Sequence, residues 1–229
     1  MKVLRVVAAA AGVIAFGGAT GYLAADLIQP DEPAYGADNN LSFEPQPPLP
    51  RKTPVPNDTP ALSAAKLDYR TESFTVQTDP NPPVSVRLRV PRGWRFSARD
   101  DEPQEVRFVD PIGERALRVE SGFSPTLSTS KAMADLIPKL KASQAFENDL
   151  SIRSQRTTTV VGTDGETRTI STLTYTFIPA KTKRYVMVRW VATEGDSATV
   201  EMSATGLPRD AKALAALLEE ATRSVRRTD

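Results

Sequence analysis

Val84-Ser85-Val86-Arg87-Leu88-Arg89-Val90-Pro91-Arg92-Gly93-Trp94 is the stretch on which the fold class turns. Apolar and polar residues alternate with period two from Val84 to Val90. That pattern predicts a strand with Val84, Val86, Leu88 and Val90 on a buried face and Arg87 and Arg89 facing outward. Pro91 ends the strand and Gly93 permits a turn. The turn is expected to deliver Trp94 and Phe96 back towards the core.

Short strands flank this one. Residues 73–76 form a strand candidate upstream. Downstream, residues 105–109 read as a strand with Val106 and Phe108 inward, Pro111-Ile112-Gly113 as a turn, and residues 115–121 as a further strand. From 130 to 145 the period changes: Met133, Leu136, Ile137 and Leu140 recur at helical spacing, and Pro138 should kink or split the helix. Residues 150–161 and 166–178 are β-rich runs about Gly162-Thr163-Asp164-Gly165, a strong hairpin signal. Leu173, Tyr175 and Phe177 share a face of the second run. Residues 183–193 and 197–204 form another hairpin about Glu194-Gly195-Asp196. Val186, Val188 and Trp190 face one way, and Val200 and Met202 share a face of the partner. A helix over 209–226 closes the chain, with a stripe of Leu214, Leu217, Leu218, Ala221 and Val225. Asp210 in its first turn and Arg223, Arg226 and Arg227 at its end complement the helix dipole. Strands with segregated helices indicate an α+β domain: an antiparallel sheet of six or seven strands packed by helices.

The N-terminus has a different character. Residues 6–25 hold twenty residues without a charge, behind Lys2 and Arg5 and ahead of Asp26, Asp31 and Glu32. At about 1.5 Å per residue such a helix spans about 30 Å, the thickness of a bilayer core. A cleavable signal has a shorter apolar centre and a small-x-small site. Cleavage after Ala25 would place the large Leu23 at the third position back, and cleavage after Gly21, behind Ala19, falls inside the run. An uncleaved transmembrane signal-anchor is the expectation; the alternatives are a cleaved signal, which would leave a secreted protein, and a buried helix. No basic residue follows until Arg51, so residues 1–5 are expected in the cytoplasm and the domain outside. Gly17-x-x-x-Gly21 has the spacing of a helix-pairing face, though small residues are common in such segments. Residues 26–65 carry nine of the chain's nineteen prolines and read as a linker of extended and coiled segments, with the domain at 66–229.

Composition narrows the chemistry. Net charge is +1, which gives no case for nucleic acid. The chain has no cysteine and no histidine. Disulfides and a lipid-modified cysteine are excluded, as are the commonest general base and transition-metal ligand.

The order of elements, together with Val90-Pro91-Arg92-Gly93-Trp94 and the closing amphipathic helix, resembles the Mog1/PsbP-like α/β/α sandwich. In particular it is similar to the actinobacterial envelope branch of LpqN-type lipoproteins, although those carry a lipid anchor on a cysteine that this chain lacks. The resemblance spans residues 74–226. It implies a non-enzymatic binding or scaffolding domain of the cell envelope.

Candidate chemistry is sparse. Asp100-Asp101-Glu102 offers oxygen ligands but lacks calcium-loop spacing, and reads as a solvated loop. Asp164 and Asp196 suit turn geometry. No Gly-x-Ser-x-Gly or Ser-x-x-Lys arrangement supplies a nucleophile with a base, and no phosphate loop is present. No cofactor or metal is expected. Lys181, Lys183 and Arg184, with Arg153 and Arg156, form the densest basic cluster. It could meet acidic wall polymers, anionic lipid or an envelope protein, or be a solvated turn. Trp94 and Trp190 are either core residues or walls of a groove for an apolar ligand. The expected function is a membrane-anchored, extracytoplasmic binding or scaffolding module without catalysis; the alternative is a carrier or sensor of a lipid or other apolar small molecule.

Overall fold

In the computed structural model, which describes residues 50–78, 81–99 and 102–228, the alternating stretch is strand β2 (Asn81–Pro91). Val84, Val86, Leu88 and Val90 are all buried, and Arg87 and Arg89 point out. It pairs antiparallel with β1 (Tyr69–Thr78), which is longer than the expected 73–76 because its ladder runs the length of β2. After Gly93, in a left-handed turn conformation at φ 83°, the chain enters β3 (Arg95–Ala98). Trp94 reaches the core, but Phe96 does not: it is 50% exposed. It sits on an edge strand and touches the rings of Phe74 and Phe108 from outside.

Then follow β4 (Glu105–Val109), β5 (Ala116–Ser121), helix α1 (Thr129–Ser143), β6 (Ser151–Val161), β7 (Thr167–Phe177), β8 (Arg184–Val191), β9 (Val200–Gly206), helix α2 (Ala211–Ser224) and β10 (Arg226–Arg227). The strands form two sheets rather than one. A seven-stranded antiparallel sheet has the order β3-β4-β5-β9-β8-β7-β6, and a small sheet has the order β1-β2-β10. Arg226 and Arg227, expected at the end of the closing helix, form β10 instead: Val225, already extended, stops α2 and lets them pair with β2.

Helix α1 begins at Ser128, whose hydroxyl accepts from the Lys131 N–H at 3.2 Å. It runs unbroken through Pro138, so the expected split does not occur. Proline removes one bond, to the Ala134 carbonyl; both residues are exposed, so water can serve the freed oxygen. Helix α1 covers β6, β7 and β8 on one face of the large sheet, over Leu173, Phe177, Val186, Val188 and Trp190. Helix α2 and the small sheet cover the other face, where Leu214, Leu217, Leu218, Ala221 and Val225 meet Val86, Leu88, Val119, Val200 and Met202. The two covers are staggered, and this offset creates the candidate site.

The span 6–25 and residues 26–49 of the proline-rich segment lie outside the described residues. Residues 50–63 form neither helix nor strand, yet they are tied to the domain. The Lys52 N–H donates to the Glu147 carbonyl and the Val55 N–H to that of Lys181. The Pro60 carbonyl accepts from Arg115, and the Leu62 N–H donates to Asp210 at 2.7 Å. Among the described residues no helix is long and apolar enough to cross a membrane.

Candidate functional site

Side chains facing one way form straight rows across antiparallel strands. On the α1 face one row reads Leu173, Val188, Ser203, Arg118 and Arg107 across β7, β8, β9, β5 and β4. It turns from apolar to polar where α1 stops. On the opposite face a row reads Val106, Val119, Met202, Arg189, Thr172 and Arg156 across β4, β5, β9, β8, β7 and β6. It turns polar where α2 stops. Each face therefore leaves a polar half, at opposite ends of the sheet.

The half-face on β4, β5 and β9 is a ladder of paired charges. Arg118 binds Glu105 at 2.6 Å, Glu120 at 2.8 Å, and Glu201. Arg107 binds Glu105, and Glu102 at 2.8 Å. Burial, then Glu201, pushes the Glu120 carboxyl up to about 7. Burial opposes the charge of Arg118, but the carboxylates of Glu201, Glu120 and Glu105 outweigh it and hold the guanidinium more firmly protonated than usual. Burial also pushes the Tyr175 phenol up to about 12.

The half-face on β6, β7 and β8 is a groove of about 320 Å³. Arg189 is the buried anchor, 8% exposed. Its Nε donates to the Thr172 hydroxyl at 3.0 Å, and its Nη1 donates to Glu219 at 2.9 Å and to the Thr222 hydroxyl at 3.0 Å. Burial lowers its pKa, with Glu219 partly opposing. Arg156 lies at the outer end of the row, exposed, with no ion pair or hydrogen bond among the described residues.

The structure disperses the basic cluster. Arg184 pairs with Glu114 at 2.8 Å and Lys183 with Asp149 at 3.5 Å. The exposed Arg153 falls at the irregularity between Ile152 and Ser154 in β6, and Lys181 lies in the turn before β8. Of the five, Arg156 alone lines the groove. Trp94 and Trp190 are core residues, 4% and 2% exposed. Asp100 and Asp101 lie outside the described residues, while Glu102 is buried against Arg107. Asp164 accepts from the Glu166 N–H at 3.2 Å within its turn and pairs with Arg168. Asp196 accepts from the Thr169 hydroxyl at 3.5 Å. Arg189, Thr172 and Glu219 were missed. The available signal was an arginine between Val188 and Trp190, a charge inside a strand whose neighbours are apolar on both sides.

No protein-family profile matches the chain, and no curated protein sequence matches it. Among solved structures it is similar to the PsbP protein of the cyanobacterium Synechocystis, at 12% identity and a TM-score of 0.48 over 69% of this chain and 92% of that one. It is also similar to the Ran-binding protein Mog1p of Saccharomyces cerevisiae, at 11% identity and a TM-score of 0.39 over 70% of this chain and 97% of that one. The likeness to both is one of fold alone.

Proposed function

We propose that this chain is a membrane-anchored, extracytoplasmic binding and scaffolding module of the cell envelope, of the LpqN-type branch, which acts by surface complementarity and performs no chemistry. The observation that supports it is the groove over β6, β7 and β8, which offers hydroxyls and an unpaired guanidinium on a rigid sheet face. Such a surface holds a ligand without a nucleophile–base pair to transform it. Location rests on the charge-free run 6–25 behind Lys2 and Arg5. A carrier of an apolar ligand is favoured by a pocket lined by Trp94 or Trp190, and both are packed in the core.

The natural absence of cysteine makes the test clean. Single cysteines at Val3→Cys and Glu194→Cys are exposed to a membrane-impermeant maleimide in intact cells. Labelling at position 194 only, with position 3 reacting after permeabilisation, is expected. The reverse pattern, or a chain recovered free of the membrane, sinks the proposal. Crosslinking in intact cells then identifies what the module holds.

A further inference from the structure

We propose that the groove over β6, β7 and β8 binds an acidic sugar unit of a wall glycan, its carboxylate or phosphate held between Arg156 and Arg189 across Thr172. This rests on the reading of the chain as an extracytoplasmic binding module and names what the module holds.

The geometry comes from register. Arg156 lies opposite Thr172, and Thr172 opposite Arg189, on three adjacent strands and one face. Strands are about 4.8 Å apart, so the two arginine backbones stand about 10 Å apart, a gap their side chains close on a shared anion. A guanidinium has five N–H donors. Arg189 uses three, on Thr172, Glu219 and Thr222, which leaves the two of Nη2 without a protein acceptor among the described residues. A nearly buried cation with free donors, beside an exposed one with no partner, calls for an anion. The lowered pKa of Arg189 agrees, since an anion would offset its burial.

The rest of the lining suits a polyol. Ser154, Thr158 and Thr174 present hydroxyls, and Glu219 accepts from a ligand hydroxyl. Val160, Ile170 and Met187 supply apolar floor for the C–H faces of a ring. A volume of about 320 Å³ accommodates a small ligand and not a folded partner. Counting Arg156, Arg189 and Glu219, the charged lining carries one net positive charge, which matches a sugar bearing one acidic group better than a polyanion.

The test is calorimetric titration of the full chain in phosphatidylcholine nanodiscs. The probes are glucuronate, glucose 1-phosphate, glucose, inorganic phosphate, a tetraglutamate peptide and phosphatidylinositol vesicles. Glucuronate or glucose 1-phosphate is expected to bind at least about tenfold more tightly than every other probe, and which of the two wins identifies the anion. Arg156→Gln should cost about tenfold with an unchanged unfolding midpoint, and Arg156→Lys should recover part of the loss. The inference is overturned if Arg156→Gln binds as well as the parent, or if neutral glucose, bare phosphate, the peptide or the vesicles match the acidic sugars. Cysteine labelling in intact cells separates the two levels. An outward domain that ignores acidic sugars removes this inference alone; an inward domain that binds them removes the module reading and leaves the groove.

Discussion

The two polar halves of the large sheet are made by one device and finished in opposite ways. Each lies where a covering element runs out, so each should be a patch of half-buried polar groups. On β4, β5 and β9 each carboxylate of Glu102, Glu105, Glu120 and Glu201 has an arginine partner in Arg107 or Arg118, and the excess of acid is met within the protein by the raised pKa of Glu120. On β6, β7 and β8 the answer is incomplete: Arg189 retains free donors and Arg156 has no partner among the described residues. A closed network serves the fold, and an open one is available to something else. The contrast predicts that substitutions in the ladder are read in stability and substitutions in the groove in binding.

The largest effect is expected at Arg118. Arg118→Met leaves three carboxylates crowded in a half-buried site without their shared cation. Removing one side of such a cluster costs on the order of 3–5 kcal/mol. Urea unfolding at pH 7 measures it. The loss should shrink as pH falls from 7 and the carboxylates take up protons, Glu120 first. A cost under about 1 kcal/mol at pH 7 would mean that the ladder is ordinary surface and that the contrast fails.

Next is the pH profile. The ordinary carboxyl value for Glu120 is 4.5, and in the folded protein it rises to about 7. The folded state therefore holds a proton that the unfolded chain has released, and stability falls as pH rises from about 4.5 to 7. Integrated over that window the fall is on the order of 3 kcal/mol. Glu102 is displaced the same way, by burial and then Glu105. Asp210 behaves oppositely: despite its burial, Arg115 and the N–H groups of Leu62 and Leu207 hold it below the usual carboxylate range, so its contribution disappears only as pH falls through the acid region. Glu120→Gln should flatten the window and be about 1–3 kcal/mol more stable than the parent at pH 7.5. An unchanged slope in the variant would refute the assignment to Glu120.

How much of this was legible follows from sequence distance. The alternation in β2 and the stripe of α2 are local patterns, and both faces were readable residue by residue. The same alternation puts Arg118 and Glu120 on one side of β5. Their partners, however, sit on β4 and β9, and β9 returns about 80 residues later, past α1 and two hairpins. Proximity in the chain suggested a basic cluster around Lys181, yet Asp149 and Glu114 fold back to neutralise Lys183 and Arg184. Phe96 looked like a core residue because nothing local marks β3 as an edge. Strand order decided all three, and strand order has no local signature.

A smaller effect tests the join between cover and groove. Thr172→Val removes the hydroxyl that accepts from Arg189 Nε and should cost about 1 kcal/mol, measured by urea unfolding. It keeps the shape of the floor, so no cavity adds to the loss. A cost of several kcal/mol would place Arg189 with the ladder arginines, as a group whose role is entirely within the fold.

The smallest stability effect, and the sharpest separation, belongs to Arg156. Its side chain is exposed on the outer strand and has no protein partner among the described residues, so Arg156→Gln breaks no bond and opens no cavity. Exposed positions of this kind change stability by about 0.5 kcal/mol or less. Like Arg118, it is an arginine in a strand at the polar end of a sheet row, so the pair isolates partnering from residue type and local structure. If thermal unfolding shows Arg156→Gln costing as much as Arg118→Met, the groove is part of the folding network after all. If the unfolding curve is unmoved, the charge at Arg156 contributes nothing the fold requires, and any loss of binding in the same variant is a loss at the groove and not of the fold.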